Sequence, residues 1–229
     1  MIKSKSTGLA DQPASLNRRK FLGFAGAASG IIVVASSCDK DDDMDTGNGS
    51  GIDLGSGDIG ILNYAYALEQ LEAAFYAQVS MTPYSNIDPM EAALLADIRD
   101  HEIAHREFFK SALGSKAIQA LEVNFAAIDF SSRDSVLGTA KAFEDLGVSA
   151  YNGAGKLITD PGYLTLAGKI VSVEARHAAY IRDLISNGSF ADSTVIDTNG
   201  LDKSRTPMEV LNIAKAFLKS TINASNLPS

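Results

Sequence analysis

Two glutamate–histidine pairs of the form Glu-x-x-His are the residues of this chain best suited to chemistry. They are Glu102/His105 and Glu174/His177, and they use two of the three histidines in the 229-residue sequence. On a helix, residues three positions apart lie on one face, so each pair can present a carboxylate and an imidazole to one point. Oxygen and imidazole ligands without a thiolate are typical of sites for Fe(II) or Mn(II). The spacing therefore predicts two halves of one metal site.

Two further glutamates in apolar segments extend this pattern. Glu69 and Glu144 lie in the strings YALEQLEAAFY and AFEDLGVSAY. Each is followed seven residues later, after two helical turns, by a tyrosine on the same face, Tyr76 or Tyr151. The chain thus carries Glu-x6-Tyr and then Glu-x-x-His twice, with corresponding glutamates 75 and 72 residues apart. This repetition predicts a pseudo-twofold bundle in which each half supplies half of the site.

The charge of these groups fits a pair of metal ions. Four carboxylates and two neutral imidazoles carry four negative charges, which two divalent cations neutralise, so that the cluster can lie in an apolar core. Glu72 lies one turn beyond Glu69 and is an alternative ligand in its place. We interpret the two tyrosines as core residues with hydrogen-bonded hydroxyls, with a redox role as the alternative. His101 lies on a different face from His105, and we interpret it as a surface residue whose replacement is nearly silent.

The elements that must position these residues are helices. Apolar residues recur with helical periodicity from Asp58 onward. Capping and stop signals predict helices over about 58–79, 88–113, 132–158, 160–187 and 206–221. Short links favour antiparallel neighbours within the first two and within the next two helices. The second helix would be roughly 37 Å long, and the link of about 18 residues after it can span that length. The sequence therefore predicts an all-α fold: a four-helix bundle with a long crossover between helices two and three, plus a short fifth helix.

Residues 1–38 have the pattern of an export signal. Arg18 and Arg19 precede an uncharged stretch, 21–37, that is short for a transmembrane helix. The string NRRKFLG resembles a twin-arginine signal, with the general secretory route as the alternative. The string ASSC resembles the lipid-attachment site of bacterial lipoproteins. We therefore expect a lipid on Cys38, the only cysteine of the chain; an incidental thiol is the alternative.

Composition then divides the rest of the chain. Residues 39–57 are acidic and Gly-rich, which predicts a flexible tether. Residues 58–188 contain the bundle, and 189–229 a loop with the C-terminal helix. The acidic residues after the cysteine resemble a surface-export signal of some bacterial lipoproteins. The expected location is the bacterial cell envelope, anchored by lipid and facing the periplasm or the cell surface. A net charge of −8 without a basic stripe disfavours nucleic acid as a partner.

Taken together, these residues resemble the ferritin-like di-iron carboxylate superfamily, which uses one Glu from each of two helices and a Glu-x-x-His motif from each of two others. The strings LNYAYALEQLEAAFY, YNGA and VEARHAAYIR are similar to a bacterial subgroup that includes desiccation-related proteins. The resemblance implies that Glu69 and Glu144 are terminal carboxylates and that Glu102 and Glu174 bridge the two metals. It also implies one imidazole per metal, from His105 and His177.

The resemblance also concerns residues around the ligands. Tyr76 matches a tyrosine that family members keep near the site, and it is our candidate catalytic residue. His101 and Val173 precede the paired glutamates, where some members have an acidic residue that orients a histidine. Asp100 and Arg176 are therefore candidates for that role.

The activity implied by the resemblance is oxidation of Fe(II), or removal of peroxide, at two iron ions with O₂ or peroxide as the reactant. Manganese is the alternative metal. Whether the protein is an enzyme is open at this point, because a desiccation- or stress-related structural protein with a non-catalytic metal is an alternative. A manganese catalase-like enzyme is another. A closed mineral-storing shell fits poorly with a lipid anchor, whereas a homodimer is compatible with it.

Overall fold

The computed structural model describes residues 51–229. The export signal, Cys38 and most of the tether lie outside the described residues. The elements, in chain order, are β1 (Ile52–Asp53), α1 (Gly57–Met81), α2 (Pro89–Leu113), α3 (Arg133–Gly155), α4 (Pro161–Ile185), α5 (Pro207–Ala214) and β2 (Ile222–Asn223). Within this described part, no helix combines the length and hydrophobicity needed to cross a membrane.

Side-chain caps determine where the helices begin. The carboxylate of Asp88 accepts hydrogen bonds from two backbone N–H groups of the first turn of α2, and Asp160 does the same for α4. In both helices the next residue is proline, whose missing N–H costs nothing at this position. Ser132 caps α3, and Thr206 forms a capping box that starts α5. These starts agree with the predicted ones.

The four long helices form the predicted bundle. α1 packs on α2, α3 packs on α4, and α1 also contacts α3. The links at 82–88 and 156–160 are short, so each packed pair is antiparallel. The crossover between α2 and α3 runs from residue 114 to 132 and contains a single 3₁₀ turn. The all-α fold with two hairpins, one long crossover and a short fifth helix is thus confirmed.

The crossover covers the face of α1 that the other helices leave open, and two buried amides on α1 hold it there. The Asn63 side chain donates to the carbonyls of Leu54 and Lys116, both at 3.0 Å. Gln70, two turns further along α1, accepts from the N–H of Leu121 at 2.8 Å. As a result α1, which carries Glu69, is buried on nearly all sides.

The ends of the described chain differ from the sequence expectation. Residues 52–54, which we assigned to the tether, belong to the fold. β1 pairs in parallel with β2, with Ile52 opposite Ile222, and Leu54 is fully buried. The fifth helix ends at Ala214 and continues as a 3₁₀ turn, instead of reaching residue 221, because the chain turns there toward β2. Strands of two residues are too short to show a periodic pattern, so periodicity could not predict them.

Candidate metal centre

Each long helix places ligand-type side chains at one buried point of the bundle. The four carboxylates are fully buried, and the two imidazole side chains are 13% and 6% exposed. α1 and α3 supply one glutamate each, whereas α2 and α4 supply one Glu-x-x-His pair each. The six residues are those predicted from the sequence, namely Glu69, Glu102, His105, Glu144, Glu174 and His177.

Their ligand atoms form two overlapping sets, each with all atoms within 4.8 Å of one another. One set contains Glu69 and His105, and the other contains Glu144 and His177. Glu102 and Glu174 belong to both sets. This arrangement is compatible with a dinuclear metal site in which two carboxylates are shared.

The distances show that each shared glutamate directs one oxygen to each imidazole. Nδ1 of His105 lies 2.9 Å from Oε1 of Glu174 and 3.7 Å from Oε2 of Glu102. Nδ1 of His177 lies 2.8 Å from Oε1 of Glu102 and 3.9 Å from Oε2 of Glu174. Oε2 of Glu69 is 3.5 Å from His105, and Oε2 of Glu144 is 3.5 Å from His177. The two unshared glutamates therefore each face one position.

The buried polar atoms of this cluster fit metal ions better than they fit one another. Of ten buried side-chain N and O atoms without a hydrogen-bond partner in the described residues, eight are ligand atoms of the six residues. The short N–O distances among them lack hydrogen-bond geometry. Buried polar groups are nearly always satisfied, so eight unpartnered atoms at one place require an explanation. Three carboxylate oxygens and one imidazole nitrogen per position form a donor set suited to Fe(II) or Mn(II).

Two tyrosines hold the unshared glutamates in a crossed arrangement. The Tyr76 hydroxyl donates to Oε1 of Glu144 at 2.5 Å, and the Tyr151 hydroxyl donates to Oε1 of Glu69. Each tyrosine thus contacts the glutamate of the other hairpin, not the one seven residues before it. Burial and the nearby carboxylate raise the pKa of both phenols well above the usual value, so both remain donors. The phenol holds one oxygen of each glutamate, and the other oxygen faces the imidazole of the same ligand set.

Without a cation, most of these carboxylates hold protons more strongly than carboxylates in water. Desolvation raises the pKa of Glu144. It also raises the pKa of Glu174 well above the usual value, with the charge of Glu102 as the next cause. Desolvation raises the pKa of Glu69 to about 7, although contact with His105 opposes it. Four crowded carboxylates with little water explain these directions.

The imidazoles and Glu102 compensate part of this charge. Desolvation lowers the pKa of both histidines, but contacts with the surrounding carboxylates outweigh it and raise the pKa of His105 to about 12 and of His177 to about 10. Desolvation also opposes ionisation of Glu102, yet the two imidazoles lower its pKa to about 2. Contacts between the two imidazoles and the carboxylates therefore offset part of the negative charge of the cluster.

Glu72 is a fifth buried carboxylate beside the centre, but it lies in neither ligand set. The structure thus brings Glu69, rather than Glu72, to the cluster. The Glu72 side chain packs against Gly147 of α3, where an added Cβ would lie 3.0 Å from Oε1 of Glu72. Gly147 takes the place of Glu72 in the second copy of the repeat. Desolvation, followed by the charge of Glu174, raises the pKa of Glu72 well above the usual value.

The two residues that the resemblance suggested for orienting a histidine have other partners. Asp100 pairs with a neighbouring arginine, and Arg176 donates to a backbone carbonyl of its own helix. Instead, Nδ1 of His101 lies 2.9 Å from Nε2 of His177. His101 is exposed, as expected, but this contact contradicts the expectation that it is independent of the site.

Comparison with known proteins agrees with this architecture. Residues 57–187 match the model of a family described as ferritin-like domain. The match covers more than half of the 229-residue chain. It includes the whole of the four long helices and all six ligand-type residues. A search of curated proteins finds no significant match to the chain.

Proposed function

The chain belongs to the ferritin-like domain family, and from this premise we propose that its buried cluster holds two metal ions and uses them for oxidation chemistry. Iron is the proposed metal and manganese the alternative. The observation that carries the proposal is the group of eight unpartnered buried ligand atoms, arranged in two sets that share two glutamates. We propose that Glu102 and Glu174 bridge the two ions, that Glu69 and Glu144 each hold one of them, and that His105 and His177 supply one imidazole per ion.

Two iron ions bound here would supply electrons for the reduction of O₂ or peroxide, and the proposed activity is accordingly oxidation of Fe(II) or removal of peroxide. The chain contributes a water-poor environment, since none of the four carboxylates is exposed. Crossed hydrogen bonds from the two tyrosines fix the unshared carboxylates. Tyr76 is the proposed catalytic residue, because its phenol could give one electron to the oxidised metal ions while its proton passes to Oε1 of Glu144, 2.5 Å away.

Anaerobic titration of the full-length protein with Fe(II), followed by O₂ or peroxide, tests this function. We expect saturation near two Fe(II) per chain and oxidation faster than in buffer alone. A variant with Glu102→Gln and Glu174→Gln should oxidise Fe(II) only at the rate of buffer. If the wild type binds two ions but never exceeds the buffer rate with either oxidant, the alternative of a stress-related structural protein gains support. Metal analysis of protein purified from its own host distinguishes iron from manganese.

We also propose that the domain is attached to the bacterial cell envelope by a lipid on Cys38, facing the periplasm or the cell surface, with a homodimer as a compatible state. The support is the sequence around Cys38 and the acidic segment that follows it. Cys38→Ala should prevent lipidation and release exported protein from the membrane fraction. Intact-mass analysis of the wild type checks this directly, since an unmodified Cys38 behind an uncleaved signal would rule the anchor out.

A further inference from the structure

His101 and His177 form an imidazole pair between α2 and α4. Nδ1 of His101 lies 2.9 Å from Nε2 of His177, the two ring planes differ by 8°, and the ring centroids are 5.2 Å apart. The distance between the centroids equals the N–N distance plus, for each ring, the distance from its centre to that nitrogen. The rings are therefore coplanar and joined edge to edge by an N–H···N hydrogen bond, rather than stacked face to face.

The direction of this hydrogen bond follows from what the other nitrogen of His177 does. Nδ1 of His177 points into the carboxylate cluster, 2.8 Å from Oε1 of Glu102. A nitrogen that binds a metal must keep its lone pair, so the ring proton is on Nε2. Nε2–H then donates to Nδ1 of His101, whose own proton is on Nε2. A doubly protonated His177 in the metal-free centre also donates from Nε2, so the same hydrogen bond serves both states.

The second half of the repeat lacks this arrangement. With the 72-residue offset that relates Glu102 to Glu174, the counterpart of His101 is Val173. A valine side chain has no hydrogen-bonding group, so it cannot act on His105 as His101 acts on His177. The two proposed metal positions have the same types of ligand. Only at the position of His177 does the residue before the paired glutamate of the other helix hydrogen-bond to the imidazole.

We propose that His101 is a positioning residue that fixes the tautomer and ring orientation of His177, making the metal position at His177 the tighter of the two. A partner that holds the second nitrogen of a metal-bound histidine is worth about 10- to 100-fold in metal affinity. This inference rests on the proposed metal centre. It adds that the two positions are unequal and that an exposed residue, outside the six ligands, causes the difference.

Cobalt(II) titration of the full-length protein tests the inference, because Co(II) reports its coordination by visible absorption and shifts the proton resonances of bound histidines. Wild type should bind two Co(II) with unequal affinity, and the N–H signal of His177 should exchange slowly with water. His101→Ala should weaken one position by about 10-fold and speed that exchange, leaving the other position unchanged. Since His101 is exposed, the metal-free variant should still fold and melt only slightly below wild type.

Two further variants separate positioning from a general effect. Asn places its side-chain oxygen near the position of a histidine Nδ1, so His101→Asn should restore the affinity and the slow exchange. Val173→Ala, at the counterpart place, should leave both positions as in wild type. If His101→Ala matches wild type, or if His101→Asn is as weak as His101→Ala, the positioning role is overturned while the metal centre stands. If wild type binds no Co(II), both proposals fall.

Discussion

Replacement of either shared glutamate, Glu102→Ala or Glu174→Ala, should abolish binding at both metal positions. Each of these carboxylates directs one oxygen toward each imidazole nitrogen, at distances between 2.8 and 3.9 Å. A single substitution therefore removes one ligand from two positions and leaves the opposing buried groups without a partner. Since loss of an outer partner alone costs about 10- to 100-fold in affinity, loss of a shared ligand should exceed 100-fold at each position.

The histidines should behave differently, because each belongs to one set only. His105→Ala and His177→Ala should each retain one metal ion per chain, and metal analysis after gel filtration gives the stoichiometry. Glu107→Ala is the matched control, since Glu107 is an exposed glutamate on the same helix as Glu102. The Glu107→Ala protein should still bind two ions. If Glu102→Ala keeps one ion as tightly as the histidine variants do, the carboxylate is not shared and the proposed bridging is wrong.

The six ligand-type residues could be predicted from sequence because their signal is local. A Glu-x-x-His pair lies on one helical face whatever the helix packs against, and the caps at Asp88 and Asp160 define where two of the helices begin. The crossover length then decides which helix ends meet. Local spacing and chain length together were thus enough to bring residues from four helices to one point.

Contacts that depend on how the helices are rotated against each other could not be predicted in this way. Tyr76 shares a face with Glu69, yet its hydroxyl reaches Glu144 on another helix. His101 is exposed and does not share the face of His105, yet α4 brings His177 to it. Periodicity within one helix says which residues face inward, but it carries no information on which inward residue of a neighbour lies opposite.

The two halves of the site also differ at one position in a way that the repeated pattern did not predict. Glu72 and Gly147 occupy corresponding places, and the space left by the glycine accommodates the fifth carboxylate. Sequence alone showed two glutamates one turn apart on α1 without showing which of them lies in the cluster. The choice is made by packing across α1 and α3, which is a property of the assembled bundle.

The metal-free protein should lose stability as the pH rises from about 5 to 9, which is the reverse of what paired carboxylates usually cause. Glu69 has a pKa of about 7 in the fold against 4.5 in the unfolded chain, and His177 has about 10 against 6.5. Both values are raised, so the folded state binds more protons, and the stability from Glu69 is lost between pH 4.5 and 7. The stability contributed by His177 is lost at higher pH, between 6.5 and about 10. Glu102 has a lowered pKa, so its contribution to stability is lost only when the pH falls below 4.5 toward about 2. Urea unfolding across this range should show a fall on the order of a few kcal/mol.

Bound metal should reverse this trend, because the ligands bind as carboxylates and as imidazoles with a free nitrogen lone pair, so binding releases protons and strengthens with pH. A divalent ion at 100 times its dissociation constant adds about 2.7 kcal/mol, or roughly 5–10 °C in melting temperature. Mn(II) suits this measurement since it does not oxidise readily.

Glu72→Gln separates the buried carboxylates from the ligands. It removes a buried acidic group whose pKa is raised, so the metal-free variant should be more stable than wild type at pH 8 and lose less stability between pH 5 and 8. It should still bind two ions, because Glu72 lies in neither ligand set. Loss of one ion in Glu72→Gln would instead make Glu72 a ligand. Metal-free stability that rises with pH in the wild type would show that the cluster does not hold protons in the fold, and the account of the centre as a crowded, partly protonated group of carboxylates would be wrong.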